Sequence, residues 1–163
     1  MKKIKLNNGQ YVLIDDEYYE ELTKYKWYLN KLGYATTGIW CKENKKTKQV
    51  LLHKIIMNTP KGYCVDHING NKLDNRRLNL RLATIAENVR NQKRNKSSIS
   101  GYKGVQTNYS CPNRPYEAAI TFCRKQIHIL RSADKEECAW VYDQVAMQLF
   151  GEFANPNFGG WNV

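Results

Sequence analysis

A carboxylate, an imidazole and an amide are spaced in this sequence so that they could hold a metal ion and move a proton. Asp66 and His67 are adjacent, and Asn88 follows on a predicted helix. Carboxylate and amide oxygens suit Mg²⁺ or Mn²⁺, with water and phosphate oxygens completing the shell. An imidazole titrates close to neutral pH, so His67 could take a proton from an attacking water. A second interpretation stays open, because a single histidine on a strand often has only a structural role.

The surrounding sequence predicts the elements that would position these side chains. Residues 63–68 and 80–83 are typical of two strands, and a polar loop separates them. Thr84 and Glu87 have the spacing of a capping box, so we predict a helix over residues 85–94. The predicted order is strand, loop, strand and helix. The carboxylate and the imidazole could then act together where the first strand ends against that helix.

This region resembles the HNH endonuclease family, and most closely its phage and intron-associated homing branch. The resemblance covers roughly residues 50–95 and rests on four blocks in the same order, residues 65–71, 74–77, 79–81 and 87–91. It implies a ββα-metal fold that cleaves phosphodiester bonds with one divalent ion, Mg²⁺ or Mn²⁺.

The resemblance also implies a role for each matched residue. His67 matches the general base, and Asp66 matches the first metal ligand. Asn79 matches the central asparagine, which braces the loop between the strands and helps to hold the histidine, so we assign it to the catalytic group. Asn88 matches the third position, where the phage branch has a metal-binding asparagine and many members have histidine. Asn91, on the next turn, is the alternative ligand.

The net charge of +11 at pH 7 predicts a polyanionic partner. Charge is separated within the C-terminal part, where residues 101–131 are basic and residues 132–163 are acidic. The basic stretch sets five cations against one carboxylate, Glu117: these cations are Lys103, Arg114, Arg124, Lys125 and Arg131. A module polarised in this way can turn its basic side toward phosphates. A solvated surface charge is the alternative interpretation.

For that C-terminal part we predict strands over residues 104–108, 116–123 and 126–130. A helix over residues 133–150, capped by Ser132, would cover one face of the sheet with its apolar side.

Four of its segments resemble the APETALA2/ethylene-response-factor DNA-binding domain, namely residues 101–106, 116–120, 139–146 and 155–158. The resemblance implies a three-stranded sheet that lies in the major groove of duplex DNA. It assigns DNA contacts to Lys103, Gln106, Asn108, Arg114, Thr121, Arg124 and His128, and we include the neighbouring Lys125. To these we add the basic residues that precede the module, Arg90, Lys93, Arg94 and Lys96. The plant target sequence cannot be transferred, because Gln106, Thr121 and His128 stand where that family has arginine and tryptophan.

We therefore predict an α+β protein with two domains. Residues 1–95 would form a nuclease domain, in which small strands precede a ββα-metal core at about residues 62–95. Residues 96–100 would be a linker, and residues 101–163 a three-stranded antiparallel sheet packed on one helix. Within the N-terminal region we predict a strand over residues 10–14, a helix over residues 17–24 capped by Asp15 or Asp16, and a hairpin loop over residues 43–48.

The predicted function is site-specific cleavage of double-stranded DNA by a monomer that nicks one strand. The alternative is a DNA-binding regulator that has lost catalysis, and the absence of RNA-module signatures disfavours an RNA partner. The five cysteines form no C-x-x-C pair, and no apolar run suits a signal peptide or a membrane span. We therefore expect reduced thiols, no membrane or protein partner, and action in the cytoplasm of a bacterial host, encoded there or by a phage.

Overall fold

The computed structural model describes residues 1–43, 45–91 and 98–159, and the chain divides into two units, Met1–Asn88 and Val89–Val163. Helices and small antiparallel sheets make up both units, so the chain belongs to the α+β class. Over the described ranges, no helix is both long enough and apolar enough to cross a membrane.

The described part of the first unit contains three small sheets and the helices between them. The N-terminal ribbon pairs β1 (Lys2–Lys5) with β2 (Tyr11–Ile14), and the next sheet joins β3 (Tyr28–Leu29), β4 (Ala35–Cys41) and β5 (Lys46–Leu51). The third sheet is the hairpin of β6 (Cys64–His67) and β7 (Leu80–Ala83). The helices are α1 (Tyr19–Leu22), α2 (Leu52–Ile56) and α3 (Ile85–Arg90), of which α3 runs across the boundary between the units.

One apolar core joins the N-terminal ribbon to the β6–β7 hairpin. Both contribute fully or nearly fully buried side chains, together with α2: Ile4, Val12, Ile14, Leu52, Val65 and Leu80. Because burial of apolar surface is the main stabilising term, the N-terminal residues support the hairpin that follows them.

Three features of the first unit differ from the predictions. Strand β1 was not predicted, although its alternation of lysines around the buried Ile4 has the period of a strand. The helix predicted over residues 17–24 is only the short α1, preceded by a 3-10 turn at Asp16–Tyr18. The loop predicted over residues 43–48 is also too long, because β5 already begins at Lys46, which pairs with Cys41 of β4.

The capping prediction for α1 fails because both aspartates are engaged elsewhere. Asp15 Oδ2 accepts a hydrogen bond from the backbone amide of Arg77 at 2.6 Å. Asp16 Oδ1 binds the N-terminal ammonium group at 2.5 Å. Neither side chain therefore caps a helix.

The second unit has the predicted three-stranded sheet backed by one helix. Strands β8 (Val105–Thr107), β9 (Tyr116–Phe122) and β10 (Lys125–Ser132) are antiparallel, with β9 in the centre. Helix α4 (Lys135–Phe150) packs on one face of this sheet. Its N-cap is Asp134, whose side chain accepts from the amide of Glu136; the predicted cap, Ser132, is the last residue of β10.

The beginning of the second unit also differs from the predicted linker. Residues 92–97 lie outside the described ranges, but Ser100 is buried and donates a hydrogen bond to the carbonyl of Val105 at 2.7 Å. Four residues on, Gly104 has a φ of 75°, and a Cβ there would overlap the ring of Tyr142. Both conditions require glycine at this position. Ser100 is thus part of the folded unit rather than of a free linker.

Candidate active site

The β6–β7 hairpin places the acidic residue and the histidine of the predicted site at its end. Asp66 lies opposite Arg81, and His67 lies opposite Leu80. The side chains of Asp66 and His67 are both buried, with 5% of each residue exposed to solvent. Buried polar groups need partners, so the contacts of these two side chains define what they can do.

An amide oxygen in the loop between the strands meets the imidazole of His67. Nε2 of His67 lies 3.4 Å from Oδ1 of Asn75, a residue that is 1% exposed. The amide nitrogen of Asn75 donates to the carbonyl of Lys72 at 3.2 Å, which orients Asn75 with its oxygen toward the imidazole. Asn75 was not among the predicted site residues.

Two aromatic rings pack against His67. The ring of His53 makes an edge-to-face contact at 5.1 Å between centroids, and the ring of Tyr34 lies at 5.9 Å. Burial lowers the pKa of His67, and the hydrogen bond with Asn75 opposes that change. Burial, the neighbouring His67 and Lys54 together lower the pKa of His53 to about 3. Both imidazoles are therefore held in their neutral forms near pH 7, and a neutral imidazole can accept a proton.

Asn79 makes contacts that stabilise the loop. Its Oδ1 accepts from the amide of Asn69 at 3.0 Å, and its Nδ2 donates to the carbonyl of Asp74 at 2.7 Å. Asp74 in turn binds Arg76 through both carboxylate oxygens, each at 2.7 Å. The two ends of the loop are thus tied together by side chains as well as by strand pairing.

The N-terminal ribbon fixes the same loop from outside. The amide of Leu13, in β2, donates to the carbonyl of Leu73, and the amide of Asn75 donates to the carbonyl of Leu13, both at 2.8 Å. These bonds make a short parallel bridge between β2 and the loop. The backbone position of Asn75, and so of the oxygen that meets His67, depends on residues that come far earlier in the chain.

Asp66 is paired with an arginine on the facing strand. Nε and Nη2 of Arg81 donate to Oδ2 of Asp66 at 2.9 and 2.8 Å. Both side chains are largely buried, with 11% of Arg81 and 6% of Asp66 exposed. The carboxylate expected to bind a metal therefore already has a cationic partner within the protein, which the sequence prediction did not include.

Asn88 lies on α3, and the start of that helix is capped as predicted. The amide of Thr84 donates to Oε2 of Glu87 at 2.8 Å, and the amide of Glu87 donates to Oγ1 of Thr84 at 3.3 Å. Asn88 is half-buried, and its own amide donates to the carbonyl of Thr84. No group of three His, Cys, Asp or Glu side chains suited to a metal occurs among residues 1–43, 45–91 and 98–159. A metal at Asp66 would accordingly need amide, water or phosphate oxygens.

In the second unit, most of the residues predicted to contact DNA are exposed. Strand register places Gln106, Thr121 and His128 on the face of the sheet opposite to α4, because they share the face of Glu117 and Ala119. Arg124 and Lys125 are exposed at the β9–β10 turn, Arg114 is exposed in the loop before β9, and Asn108 is half-buried there.

A carboxylate lies among these polar groups on the open face. Glu117 accepts from Nδ1 of His128 at 2.7 Å and from Nη2 of Arg131 at 3.1 Å. Although burial alone would raise the pKa of Glu117, the hydrogen bonds from Arg131 and His128 keep it below its usual range. Arg131 was counted in the predicted charge pattern but not among the predicted DNA contacts.

Two of the predicted DNA contacts have internal partners instead. Nζ of Lys103 donates to the carbonyl of Arg90 at 2.5 Å, and burial lowers the pKa of Lys103 to about 8. The guanidinium of Arg90 lies over the ring of Phe150 at 4.5 Å. Lys93, Arg94 and Lys96 lie outside the described residues.

Comparison with known proteins identifies the class to which this hairpin and its site belong. The model of the HNH endonuclease family matches residues 58–90, which include β6, the loop, β7 and α3. An Acanthamoeba polyphaga mimivirus protein described as an uncharacterized HNH endonuclease is 33% identical over 155 residues, which cover 91% of this chain and 75% of that protein. Protein 3.8 of Escherichia phage T7 is 43% identical over 96 residues, covering 58% of this chain and 76% of that protein.

The chain therefore carries a nuclease domain. It belongs to the HNH endonuclease family, as the sequence resemblance had indicated.

Proposed function

We propose that this protein is a site-specific DNA endonuclease of the homing type, which hydrolyses a phosphodiester bond with one divalent ion. The observation that carries the proposal is the buried His67, which follows Asp66 and has Oδ1 of Asn75 at its Nε2. A proton acceptor needs a fixed orientation and a neutral form, and this arrangement supplies both. The cytoplasm of a bacterial cell is the proposed place of action.

His67 acts as the general base. Because the oxygen of Asn75 can only accept, Nε2 of His67 carries a hydrogen in this contact and Nδ1 is the basic nitrogen. As the oxygen of a water molecule bonds to phosphorus, Nδ1 takes its proton and the bond from phosphorus to one sugar oxygen breaks. Asn79 keeps the surrounding loop closed during the reaction.

The residues present fit a hard divalent cation. Asp66 offers a carboxylate and Asn88 an amide oxygen, which are donors that Mg²⁺ and Mn²⁺ accept. A bound ion would supply positive charge that stabilises the developing charge on the phosphate. We assign Asp66 and Asn88 as the residues that hold it, with Asn91 as the alternative to Asn88.

The second unit is proposed to bind duplex DNA through the open face of its sheet. This is supported by the exposed polar side chains Gln106, Thr121 and His128 on that face and by the exposed cations Arg124 and Lys125 at its end. The resemblance to the APETALA2 domain points to the same face. Lys103 is no longer assigned to DNA, because its ammonium group binds backbone carbonyls.

We propose that the protein acts as a monomer and nicks one strand. The sequence contains one Asp-His…Asn set, and one fixed site meets one scissile phosphate at a time, because the two strands of DNA are antiparallel. The charge of +11 also opposes association of two copies without DNA.

One observation favours the alternative, a DNA-binding regulator with an inactive nuclease core. Arg81 already neutralises the Asp66 carboxylate, and a site that no longer bound metal would keep such a pair.

The two functions are distinguished by incubating the protein with supercoiled plasmid that carries its native locus, with and without Mg²⁺. The nuclease predicts open circles only with Mg²⁺, and these should persist at low enzyme. Linear product that forms without an open-circle intermediate would contradict nicking, and unchanged plasmid would favour the regulator.

A further inference from the structure

We propose that Arg81 is a positioning residue for the metal site, which holds the Asp66 carboxylate in the orientation in which it binds a divalent ion. The inference rests on the proposed function, since it assumes that Asp66 is a metal ligand. The family resemblance assigns no role to Arg81, so the inference adds a residue to the site.

The fold brings the side chains of Asp66 and Arg81 together. Asp66 and Arg81 are directly opposite partners in the antiparallel β6–β7 pair, so their side chains leave the hairpin on the same face. Two donors of a planar guanidinium, Nε and Nη2, reach Oδ2 at 2.9 and 2.8 Å. Two hydrogen bonds from one rigid group hold Oδ2, and with it one end of the carboxylate, in a fixed position.

A second arginine in the same hairpin shows a different geometry. Nε of Arg76 donates to Oδ1 of Asp74 and Nη2 donates to Oδ2, so Arg76 binds both carboxylate oxygens. Arg81 instead directs the same two nitrogens at one oxygen of Asp66. The guanidinium thus holds Asp66 by Oδ2, whereas Arg76 holds Asp74 by both oxygens.

Burial of Arg81 favours an arrangement in which the ion and Arg81 both bind Asp66 over one in which the ion displaces Arg81. Only 11% of the Arg81 side chain is exposed, so an ion that expelled it from Asp66 would break two charge-assisted hydrogen bonds of a largely buried guanidinium. Breaking a buried ion pair is strongly unfavourable. The ion and Arg81 are therefore expected to bind the carboxylate together. Partners that orient a metal ligand in this way typically contribute about 10- to 100-fold to metal affinity.

The test measures Mn²⁺ affinity of the full-length protein by electron paramagnetic resonance of the free and bound ion, without DNA. Arg81→Lys keeps the positive charge but loses the planar two-donor group, and Arg81→Gln provides a second variant if the first fails to fold. Thermal melting in EDTA establishes that each variant is folded. Arg131→Lys is the matched control, because it alters the arginine of another cross-strand pair, that with Glu117.

We expect Arg81→Lys and Arg81→Gln to weaken Mn²⁺ binding about tenfold or more, and Arg131→Lys to leave it unchanged. Unchanged affinity in folded Arg81 variants would make Arg81 a structural residue only, and tighter binding would make it a competitor of the ion; either result overturns the inference and leaves the metal site in place.

If the proposed function is wrong, the wild-type protein binds no Mn²⁺, or Asp66→Asn binds Mn²⁺ as well as wild type does. Either of these results would also remove the basis of the inference about Arg81.

Discussion

The backbone amide of Asn75 donates a hydrogen bond to the carbonyl of Leu13, 2.8 Å away, and thereby ties the loop beside His67 to the N-terminal ribbon. The side chain of the same asparagine meets the imidazole. Residues 1–57 therefore have a definite part in the nuclease domain: they provide the core beneath the hairpin and fix the loop that orients the proposed base.

Asn75→Leu is expected to lower kcat about tenfold or more while KM for DNA changes little. The variant removes the acceptor that orients His67, and a correctly placed general base contributes about 10²- to 10⁴-fold. The measurement is steady-state cleavage of a fixed duplex. Asn71→Ala is the control: Asn71 also makes a side-chain to backbone bond in this loop, to the amide of Leu73, but it lies on the exposed side. Equal losses in both variants would indicate general loosening of the loop.

Asn88→Ala is expected to weaken Mn²⁺ binding, because it removes an oxygen donor, whereas Asn91→Ala is expected to leave that binding unchanged. Calorimetric titration of the metal-free protein with Mn²⁺ compares the two variants directly. If Asn91→Ala bound Mn²⁺ more weakly and Asn88→Ala did not, the second ligand would have to be reassigned to Asn91.

Asn88 and Asn91 could be located from the sequence, whereas Asn75 could not. The helix that carries Asn88 was predicted because its capping box, Thr84 with Glu87, is a local pattern that spans a single turn. Asn75 could not be found in this way, since its contact with His67 exists only after a loop closes against β2. The Asp66–Arg81 pair is intermediate: strand pairing implies that some residue faces Asp66, but not that the facing side chain is buried with it.

The environment of Lys103 gives an expected pH dependence of stability. Its pKa is lowered to about 8 in the folded protein, chiefly by burial, from an ordinary value of 10.5. Folding therefore favours the neutral amine, and the free energy of unfolding should rise as the pH increases from 8 to about 10.5, with no contribution to the slope below 8. Urea unfolding of wild type and Lys103→Met across this range isolates the effect, because the other titrating groups are common to both. The same slope in both proteins would contradict a lowered pKa.

Exposed cations at the β9–β10 turn are expected to contribute to DNA affinity by binding phosphates. For the full-length protein, a plot of log K against log salt concentration should become shallower by about 0.9 for each phosphate that a variant no longer binds, here in Arg124→Gln and in Lys125→Gln. Lys135→Gln is the control, because Lys135 begins α4 on the other side of the sheet. A slope that falls only in the control would place DNA on the helix side of the second unit.

In the proposed function, His67 performs the chemistry of cleavage rather than supporting the fold or binding DNA. The most direct measurement compares wild type and His67→Ala on the same DNA, with plasmid nicking in Mg²⁺ and a gel shift at equal protein concentrations. We predict that nicking is abolished while DNA affinity is nearly unchanged, because binding depends on many cations and the proton transfer on one imidazole. Continued nicking by His67→Ala, or loss of DNA binding by a variant that melts at the wild-type temperature, would contradict the assignment.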